Sequence, residues 1–380
     1  MSLVLSEEQQ LLQTTAREFV SSRSPMKRIR ELRDEGGDGF SKPLWTEMGQ
    51  LGWAGIVVPE QYGGAGLGYV ELMVVMEELG RGLVPEPMLS ALLGASALVL
   101  GGSDAQRTRH LPQVAAGGAL LALAYQETGS RYDLACVETR AERAGDGVAL
   151  HGEKIQVLDG AAADHLLVSA RTSGEKRDAA GVTLVLVPRD AAGVTVERQH
   201  RVDARGAAIV RFAGTRVGPE AVVGGVGTGA ALLQRVIDRG TIALTAEMLG
   251  GMVAAFQMTL DYLKTRQQFG KVIGSFQALK HRAARLFMEL ELARSIVMAA
   301  HEAVDAGKGD QEVGRLASMA KARLSDAFVL VANEAVQMHG GIGMTDEHDV
   351  GFFLKRARAA EIQFGDAAFH RARVATLDGY

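Results

Sequence analysis

The chain has 380 residues, of which 47% are apolar and 23% charged, so it is long enough to bury more than one packed unit. A formal net charge of −4 lacks the basic excess of a nucleic-acid binder, and any anionic ligand must be held by local clusters. The only cysteine, Cys136, excludes an internal disulfide and favours a reducing compartment. No apolar run reaches the ~18 residues of a membrane span, and no signal peptide is evident, so a cytoplasmic location is predicted.

Helical signals dominate the first part of the chain. Ser6 opens a capping box, and Ser41 with Pro43 marks a second helix start, whose end is signalled by Gly52. Further helical patterns cover about 69–80, 87–100 and 104–115. We expect an all-helical domain over residues 1–117.

Residues 118–222 show short β-rich runs separated by glycine and charged turns. The runs are LALAYQ, VALHG, HLLVSA, VTLVLV, VTVER and AAIVRF. Because no helical pattern separates them, we expect an antiparallel sheet or small β-barrel and not a βαβ nucleotide fold. The GGVGTG run at Gly224–Gly229 matches a glycine fingerprint superficially, but it is interpreted as a loop that leads into the next helix.

Residues 223–380 return to long helices. Apolar residues over 279–304 recur at alternating steps of four and three, which is the spacing of a bundle seam. Small side chains over 317–331 continue this pattern and permit close approach of helices. The predicted four-helix bundle consists of segments at about 230–264, 279–304, 317–331 and 367–377.

A basic corner, Tyr262–Gln277, joins the first two helices of this bundle. Arg266 and Lys271 flank a Phe269-Gly270 turn there. A guanidinium beside a glycine turn at helix ends suits a phosphate, because it adds a planar fork of donors to free backbone N–H groups. An ordinary helical corner with solvated charges is the alternative interpretation.

A second motif ends a later helix with a double glycine, at Glu334–Thr345, EAVQMHGGIGMT. The pattern R-x-x-F-G-x-x-I-x-x-F-Q followed by Q-x-x-G-G-x-G resembles the acyl-CoA dehydrogenases, flavoenzymes that oxidise acyl-CoA thioesters to 2-enoyl-CoA. The resemblance covers nearly the whole chain from Pro59–Gly68, PEQYGGAGLG, onward. Within the family, the chain is most similar to the small subunit of pimeloyl-CoA dehydrogenase. This likeness rests on YLKTRQQFG, Ser130–Leu134 and Phe364–Ala368.

The resemblance implies an α+β fold with an N-terminal helical domain, a middle antiparallel β-barrel domain and a C-terminal four-helix bundle. It also implies FAD as cofactor, an acyl-CoA substrate and electron-transfer flavoprotein or a similar acceptor. In the family, one set of residues reaches across a subunit interface to the FAD that a neighbour mainly holds. Those positions here are Arg266, Phe269, Gln277, Gln337, Gly340 and Gly341. For Gln337 and His339, a helix C-terminus with glycine caps is the alternative.

The other half of the implied flavin site departs from the family pattern. Most relatives have a T-E-P-G-A-G-S-D loop and a W-I-T or W-I-S strand, whereas this chain has QETGSRYD and Q-V-L. Those changes remove a stacking indole and a hydroxyl, and they add bulk in the loop, although a shifted site could tolerate them. Expected cofactor contacts in this half are Tyr125, Gln126, Gln156 and Leu158. Expected substrate contacts are Arg131, Tyr132 and Arg239.

The position of the catalytic base is the sharpest departure. In the commonest version of the family the base is a glutamate in an E-G-T motif, and Phe364 stands there. Some relatives place the glutamate at the start of the first bundle helix, where this chain has Gly240. Asp238 and Asp366 each lie two residues from an expected position and are the candidate bases, with helix capping or ion pairing as the alternative role. Glu247 is a weaker candidate.

A chain that keeps the residues directed at a neighbour's FAD but lacks its own base resembles one subunit of a hetero-oligomer. We expect a tetramer in which a homologous large subunit supplies the base. A self-sufficient homotetramer that uses Asp238 or Asp366 and a non-catalytic scaffold are the other hypotheses. For the acyl chain, Arg131, Arg205 and Arg239 are candidate partners of a distal carboxylate or of CoA phosphates, with solvated surface as the ordinary role.

Overall fold

The computed structural model describes residues 4–380. Its helices are α1 (Glu7–Arg23), α2 (Met26–Glu35), α3 (Lys42–Gln50), α4 (Tyr69–Arg81), α5 (Met88–Gly101), α6 (Asp104–Ala115), α7 (Gly229–Thr265), α8 (Gln277–Asp305), α9 (Asp310–His339), α10 (Val350–Ile362) and α11 (Ala367–Leu377). Its strands are β1 (Leu121–Ala124), β2 (Arg140–Ala144), β3 (Gly147–Leu158), β4 (His165–Arg171), β5 (Val182–Pro188), β6 (Val194–Gln199), β7 (Ala207–Val217), β8 (Val222–Val223), β9 (Gln267–Gln268) and β10 (Lys271–Val272).

The predicted helix starts are confirmed by their caps. Ser6 accepts a hydrogen bond from the Gln9 N–H, and the Gln9 side chain returns one to the Ser6 backbone. Ser41 caps α3 through the Leu44 N–H. Sequence patterns did not predict α2 and α10. The ten residues of α2 include only three apolar side chains, Met26, Ile29 and Leu32, of which only Ile29 is buried, so the periodic signal is short.

Seven strands of the eight-stranded sheet follow the order β6-β7-β3-β2-β4-β5-β8. Most neighbours are antiparallel, as predicted, and apolar side chains form its core. The prediction of a purely antiparallel sheet is wrong at β4, which pairs parallel with β1, where Leu121 lies opposite His165, and parallel with β2, where Arg140 lies opposite Arg171. The β2–β3 hairpin lies between β1 and β4 in the sequence. The amino-acid composition of each strand does not show which strands become neighbours. Gly224–Gly229 forms the predicted loop into α7.

The chain forms two compact units. One contains residues up to Glu31, Tyr69–Val84 and Thr241–Tyr380, and the other contains Leu32–Gly68 and Pro85–Gly240. In the first, α1 packs on α4 and α4 on α8, while in the second α5 packs on β1. The predicted domain boundaries at residues 117 and 222 stay a prediction, because each of the two compact units is assembled from segments that are not consecutive in the sequence.

In the first unit, α9 packs against α8, α10 and α11. The predicted seam is confirmed on α9, where the small or apolar side chains of Ala317, Ala320, Leu324, Ala327 and Val331 are buried. The bundle also includes α10, which the four-helix prediction omitted.

Glycines bring α7 and α4 into backbone contact. A Cβ added at Gly250 would lie 1.8 Å from the Glu77 carbonyl oxygen, and one added at Gly80 would lie 2.1 Å from the Glu247 carbonyl oxygen. In the part of the chain that the structure describes, α7 is the one helix long and apolar enough to cross a membrane, but 78% of its most apolar window is buried. Burial by protein neighbours accounts for its composition.

We predict that Gly250→Ala destabilises the protein by about 2 kcal/mol or more, because the added methyl group collides with a backbone carbonyl that cannot rotate away. Gly351→Ala on α10 is the matched control. A Cβ there meets nothing within 4 Å, so that change should be neutral or stabilise by up to ~1 kcal/mol. Thermal unfolding followed by circular dichroism measures both, and equal midpoints for the two variants would contradict the prediction.

Candidate active site

The basic corner after α7 is a hairpin of β9 and β10. Its central residues, Phe269 and Gly270, have φ values of 54° and 75°, so the turn is of the mirror-image type that tight hairpins favour. A bulky residue rarely adopts this backbone, and the Phe269 side chain is 88% exposed. Arg266 is also exposed, and among residues 4–380 its guanidinium forms no ion pair. Both side chains are therefore available to a ligand or partner.

The end of α9 is equally open. Gln337 is exposed, and Gly340 has a φ of 67° and donates its N–H to the Gln337 carbonyl oxygen. A Cβ built on Gly340 or Gly341 would meet nothing within 4 Å. The double glycine thus presents uncovered backbone that a ligand can approach closely.

Tilted ring contacts join this helix end to the basic corner. The Tyr262 ring centroid lies 4.5 Å from that of His339, which lies 4.4 Å from that of His348. Close by, Arg282 Nε on α8 lies 2.7 Å from Glu334 Oε2 on α9. Burial lowers the pKa of His339, and its Nδ1 donates to the Ala335 carbonyl oxygen at 2.7 Å. The two motifs therefore form one surface of one unit.

The QETGSRYD loop is anchored from beneath by a buried ion pair. Glu127 accepts from Lys154 Nζ at 2.6 Å and from the N–H groups of Glu138 and Thr139 at 2.6 and 3.0 Å. Lys154 also donates to Ser169 Oγ at 3.0 Å. Burial lowers the pKa of Lys154 to about 8, while the Lys154 charge and hydrogen bonds outweigh burial and lower the pKa of Glu127. The sequence did not reveal this pair, because Lys154 stands beside Glu153 in a strand that also contains His151 and Gln156.

Two predicted contacts near this anchor have strained backbone. Arg131 and Gln156 have φ values of 46° and 51°, and Gln156 lies in a β-bulge between Lys154 and Val157. Non-glycine residues in this region are uncommon and often mark functional sites. The bulge leaves Gln156 exposed and directs its N–H to Gln199 Oε1 at 2.9 Å.

The remaining predicted contacts of this half lie in or near the loop, at the end of β3 and on α7. The Gln126 carbonyl oxygen accepts from the Ile155 N–H at 2.9 Å, and Leu158 ends β3 half-buried. Burial raises the pKa of Tyr125, and the neighbouring Tyr132 raises it further, so the Tyr125 phenol is un-ionised at neutral pH. Arg239 lies half-buried on α7.

Each candidate acid has a structural partner. Asp238 on α7 is buried and accepts from Gln234 Nε2 at 3.1 Å. Asp366 caps α11 through the Phe369 N–H at 2.9 Å. Glu247 forms a buried, bidentate ion pair with Arg356 at 2.8 and 3.1 Å. The proposed role of Asp238 or Asp366 as a base stays a prediction.

Phe364 is buried where the family pattern places a glutamate. Its φ is 61°, and its ring is only 4% exposed. The fully buried Lys321 fixes the turn by donating to the carbonyl oxygens of Gly365 at 2.7 Å and Glu361 at 2.9 Å. Burial lowers the pKa of Lys321 to about 7. This position, like Gly240, contributes no carboxylate.

Three family models match consecutive parts of the chain. They are "Acyl-CoA dehydrogenase, N-terminal domain" at residues 6–118, "Acyl-CoA dehydrogenase, middle domain" at 122–215 and "Acyl-CoA dehydrogenase, C-terminal domain" at 227–376. The chain belongs to the acyl-CoA dehydrogenase family. Its three-part fold, with helices, a β domain and a helical domain, is therefore confirmed.

Relatives match nearly the full length of this chain. Probable acyl-CoA dehydrogenase YngJ of Bacillus subtilis is 30% identical over 99% of both chains. Butyryl-CoA dehydrogenase from Megasphaera elsdenii superimposes with a TM-score of 0.92 at 26% identity over 99% of both chains. A chain of the ChsE4-ChsE5 complex from Mycobacterium tuberculosis superimposes with a TM-score of 0.89 at 27% identity over 100% of both chains.

FAD is the cofactor of this family, and the residues present fit it. The surface that combines the unpaired Arg266 with the open Gly340 and Gly341 supplies a cation and uncovered backbone, which suit a phosphate-bearing ligand. The fit is poorer in the other half, where Gln156 lacks the aromatic ring that a flavin stacks upon.

We predict that Glu127→Gln destabilises the protein by about 3–5 kcal/mol, because it leaves the buried Lys154 ammonium without its counter-charge. The urea midpoint measures this effect. A Glu127→Gln/Lys154→Met double variant should recover part of the loss, since it buries no lone charge.

Glu153→Gln is the matched control on β3, beside Lys154, because the ion pair of Glu153 with Arg211 is solvent-exposed and contributes ~1 kcal/mol or less. If Glu127→Gln lowers the midpoint no more than this control, the ion pair does not anchor the loop.

Proposed function

We propose that this chain is one subunit of a heteromeric, FAD-dependent acyl-CoA dehydrogenase that oxidises an acyl-CoA thioester to 2-enoyl-CoA. The observation that carries the proposal is a contrast within the chain. The residues directed at a neighbour's FAD are present and accessible, whereas the position of the catalytic glutamate holds the buried Phe364. A homologous subunit would supply the carboxylate.

Two likenesses support a heteromer. One of the similar solved chains comes from a two-component complex, the ChsE4-ChsE5 complex. The motifs around Ser130–Leu134 and Phe364–Ala368 resemble the small subunit of pimeloyl-CoA dehydrogenase, which favours a dicarboxylyl or medium-chain thioester. The proposed assembly is a cytoplasmic tetramer that passes electrons to electron-transfer flavoprotein or a similar acceptor.

The proposed roles follow from side-chain chemistry. FAD, when bound, accepts the hydride that leaves the substrate β-carbon. Arg266 would bind an anionic part of the partner's cofactor, while Gln277 and Gln337 would offer amide donors and acceptors. Gly340 and Gly341 would let the ligand approach the backbone. The α-proton would pass to the partner's carboxylate, because general-base catalysis requires an acceptor within about 3 Å of the proton.

A self-sufficient homotetramer is the second candidate function. It is favoured by Asp238, which is buried on α7 two residues before Gly240. Asp366 is the other candidate base, although its carboxylate already caps α11.

We predict that Arg266→Ala weakens FAD binding about tenfold or more, because it removes a charge-assisted contact worth ~1.5–3 kcal/mol. The flavin-to-protein absorbance ratio of the purified assembly measures retention. Thermal unfolding of the flavin-free protein should be unchanged, because Arg266 is exposed and forms no ion pair within the described residues.

Arg285→Ala is the control for this prediction, since Arg285 is an exposed arginine on the neighbouring helix α8. It should leave the flavin ratio unchanged. Equal flavin content in the two variants would remove Arg266 from the cofactor site.

We also predict that the chain purified alone shows little turnover with acyl-CoA and an artificial electron acceptor. Co-expression with a glutamate-bearing homologue should restore it. The difference should be large, because general-base catalysis typically contributes ~10²–10⁴-fold. Dye reduction measures both preparations.

The alternative has a distinct outcome. If the lone chain turns over at an ordinary rate and Asp238→Asn or Asp366→Asn abolishes that rate, the homotetramer is correct and the heteromeric proposal is wrong. A lone chain without flavin and without activity in every combination would indicate a scaffold.

A further inference from the structure

A cavity of about 380 Å³ lies between α6 and one end of the sheet in the second unit. That volume falls within the ~300–1,000 Å³ that is usual for small-molecule sites. Its lining consists of Ser103, Ala105, Gln106, Arg109, His110, His165, Leu186, Pro188, Ala191, Arg216, Val217, Gly218, Glu220 and Ala221. None of these residues has been assigned above to FAD or acyl-CoA.

Hydrogen bonds fix the wall of this cavity. The buried Gln106 side chain donates from Nε2 to the carbonyl oxygens of Glu220 at 2.8 Å and Val222 at 2.9 Å. Its Oε1 accepts from the Ser103 N–H at 2.9 Å. The start of α6 is thereby joined to the segment before β8, so the cavity is formed before any ligand arrives.

Two guanidinium groups line the cavity without counter-charges of their own. Within residues 4–380, neither Arg109 nor Arg216 forms an ion pair. Glu220 is the one acidic residue of the lining, so the cations outnumber the carboxylates. A pair of unpaired arginines beside one cavity is the arrangement that binds a doubly charged anion.

Neutral polar and apolar groups form the rest of the cavity. His110 and His165 pack edge to face with ring centroids 4.9 Å apart. Burial lowers the pKa of His165 and lowers that of His110 to about 4, so neither ring carries charge at neutral pH. His165 Nδ1 is buried and has no hydrogen-bond partner among the described residues. Leu186 and Pro188 add apolar surface.

We propose that this cavity binds a small phosphate monoester, with the phosphate between Arg109 and Arg216 and an apolar or aromatic body against the histidine rings. Two guanidinium groups can each donate to different oxygens of a phosphate monoester, which offers three terminal oxygens, whereas a carboxylate offers only two. The volume exceeds the need of bare phosphate, and the apolar lining contributes affinity only if the ligand has a body.

Isothermal titration of the purified, flavin-loaded protein with phenyl phosphate tests the site. Inorganic phosphate and benzoate distinguish the contributions of the body and of the second charge, and both should bind more weakly. Arg109→Gln and Arg216→Gln should each weaken phenyl phosphate binding about tenfold or more, because each removes charge-assisted hydrogen bonds.

Arg143→Gln is the matched control, an exposed arginine on β2 that does not line the cavity. It should leave the affinity unchanged, and all three variants should keep the flavin ratio of the parent protein. Absence of saturable phenyl phosphate binding would overturn the proposal, as would binding that neither Arg109→Gln nor Arg216→Gln weakens. Tighter binding of benzoate than of phenyl phosphate would overturn the assignment to a phosphate.

Discussion

The helical unit depends on the close backbone contact between α4 and α7. Gly250 and Gly80 remove the side chains that would separate the two helices. Such an approach places charged groups in the interior, and the structure pairs them: Glu77 accepts two hydrogen bonds from Arg294 at 3.0 Å, and Glu247 is paired with Arg356. Burying an unpaired carboxylate would cost several kcal/mol, so the glycines and the ion pairs must occur together. This rigid contact supports the helix from which the basic corner at Arg266 extends.

Backbone strain coincides with the residues that the family resemblance singles out. Arg131, Gln156, Phe269 and Phe364 all have left-handed backbone, although none is glycine. Each such residue costs of order 1–3 kcal/mol and persists only where its surroundings hold it. Gln156 lies in a bulge of β3 two residues after Lys154, which is buried and paired with Glu127, and after Phe364 the Lys321 ammonium holds the Gly365 carbonyl oxygen. The surrounding ion pair and hydrogen bonds therefore hold a left-handed backbone at two of these positions.

The two parts of the site that the family resemblance identifies differ in accessibility. The turn that Lys321 holds carries the buried phenyl ring of Phe364, at the position where the family pattern has a glutamate. The surface at Arg266 and Gly340, in contrast, stays open and uncompensated. A subunit without its own base can take part in the reaction only if another subunit supplies that base. The heteromer is therefore the proposal that accounts both for the buried Phe364 and for the open surface at Arg266.

Local signals in the sequence were enough to predict most of the helices, their caps at Ser6 and Ser41, the bundle seam and the family, because capping and periodicity depend on neighbours within a few residues. The parallel pairing of β1 with β4 was not predictable, since pairing joins residues far apart in the chain. The same applies to the Glu127–Lys154 pair, to Lys321 beneath Phe364 and to the Arg109–Arg216 cavity. Each depends on which distant side chains share a buried space, and only tertiary packing decides that.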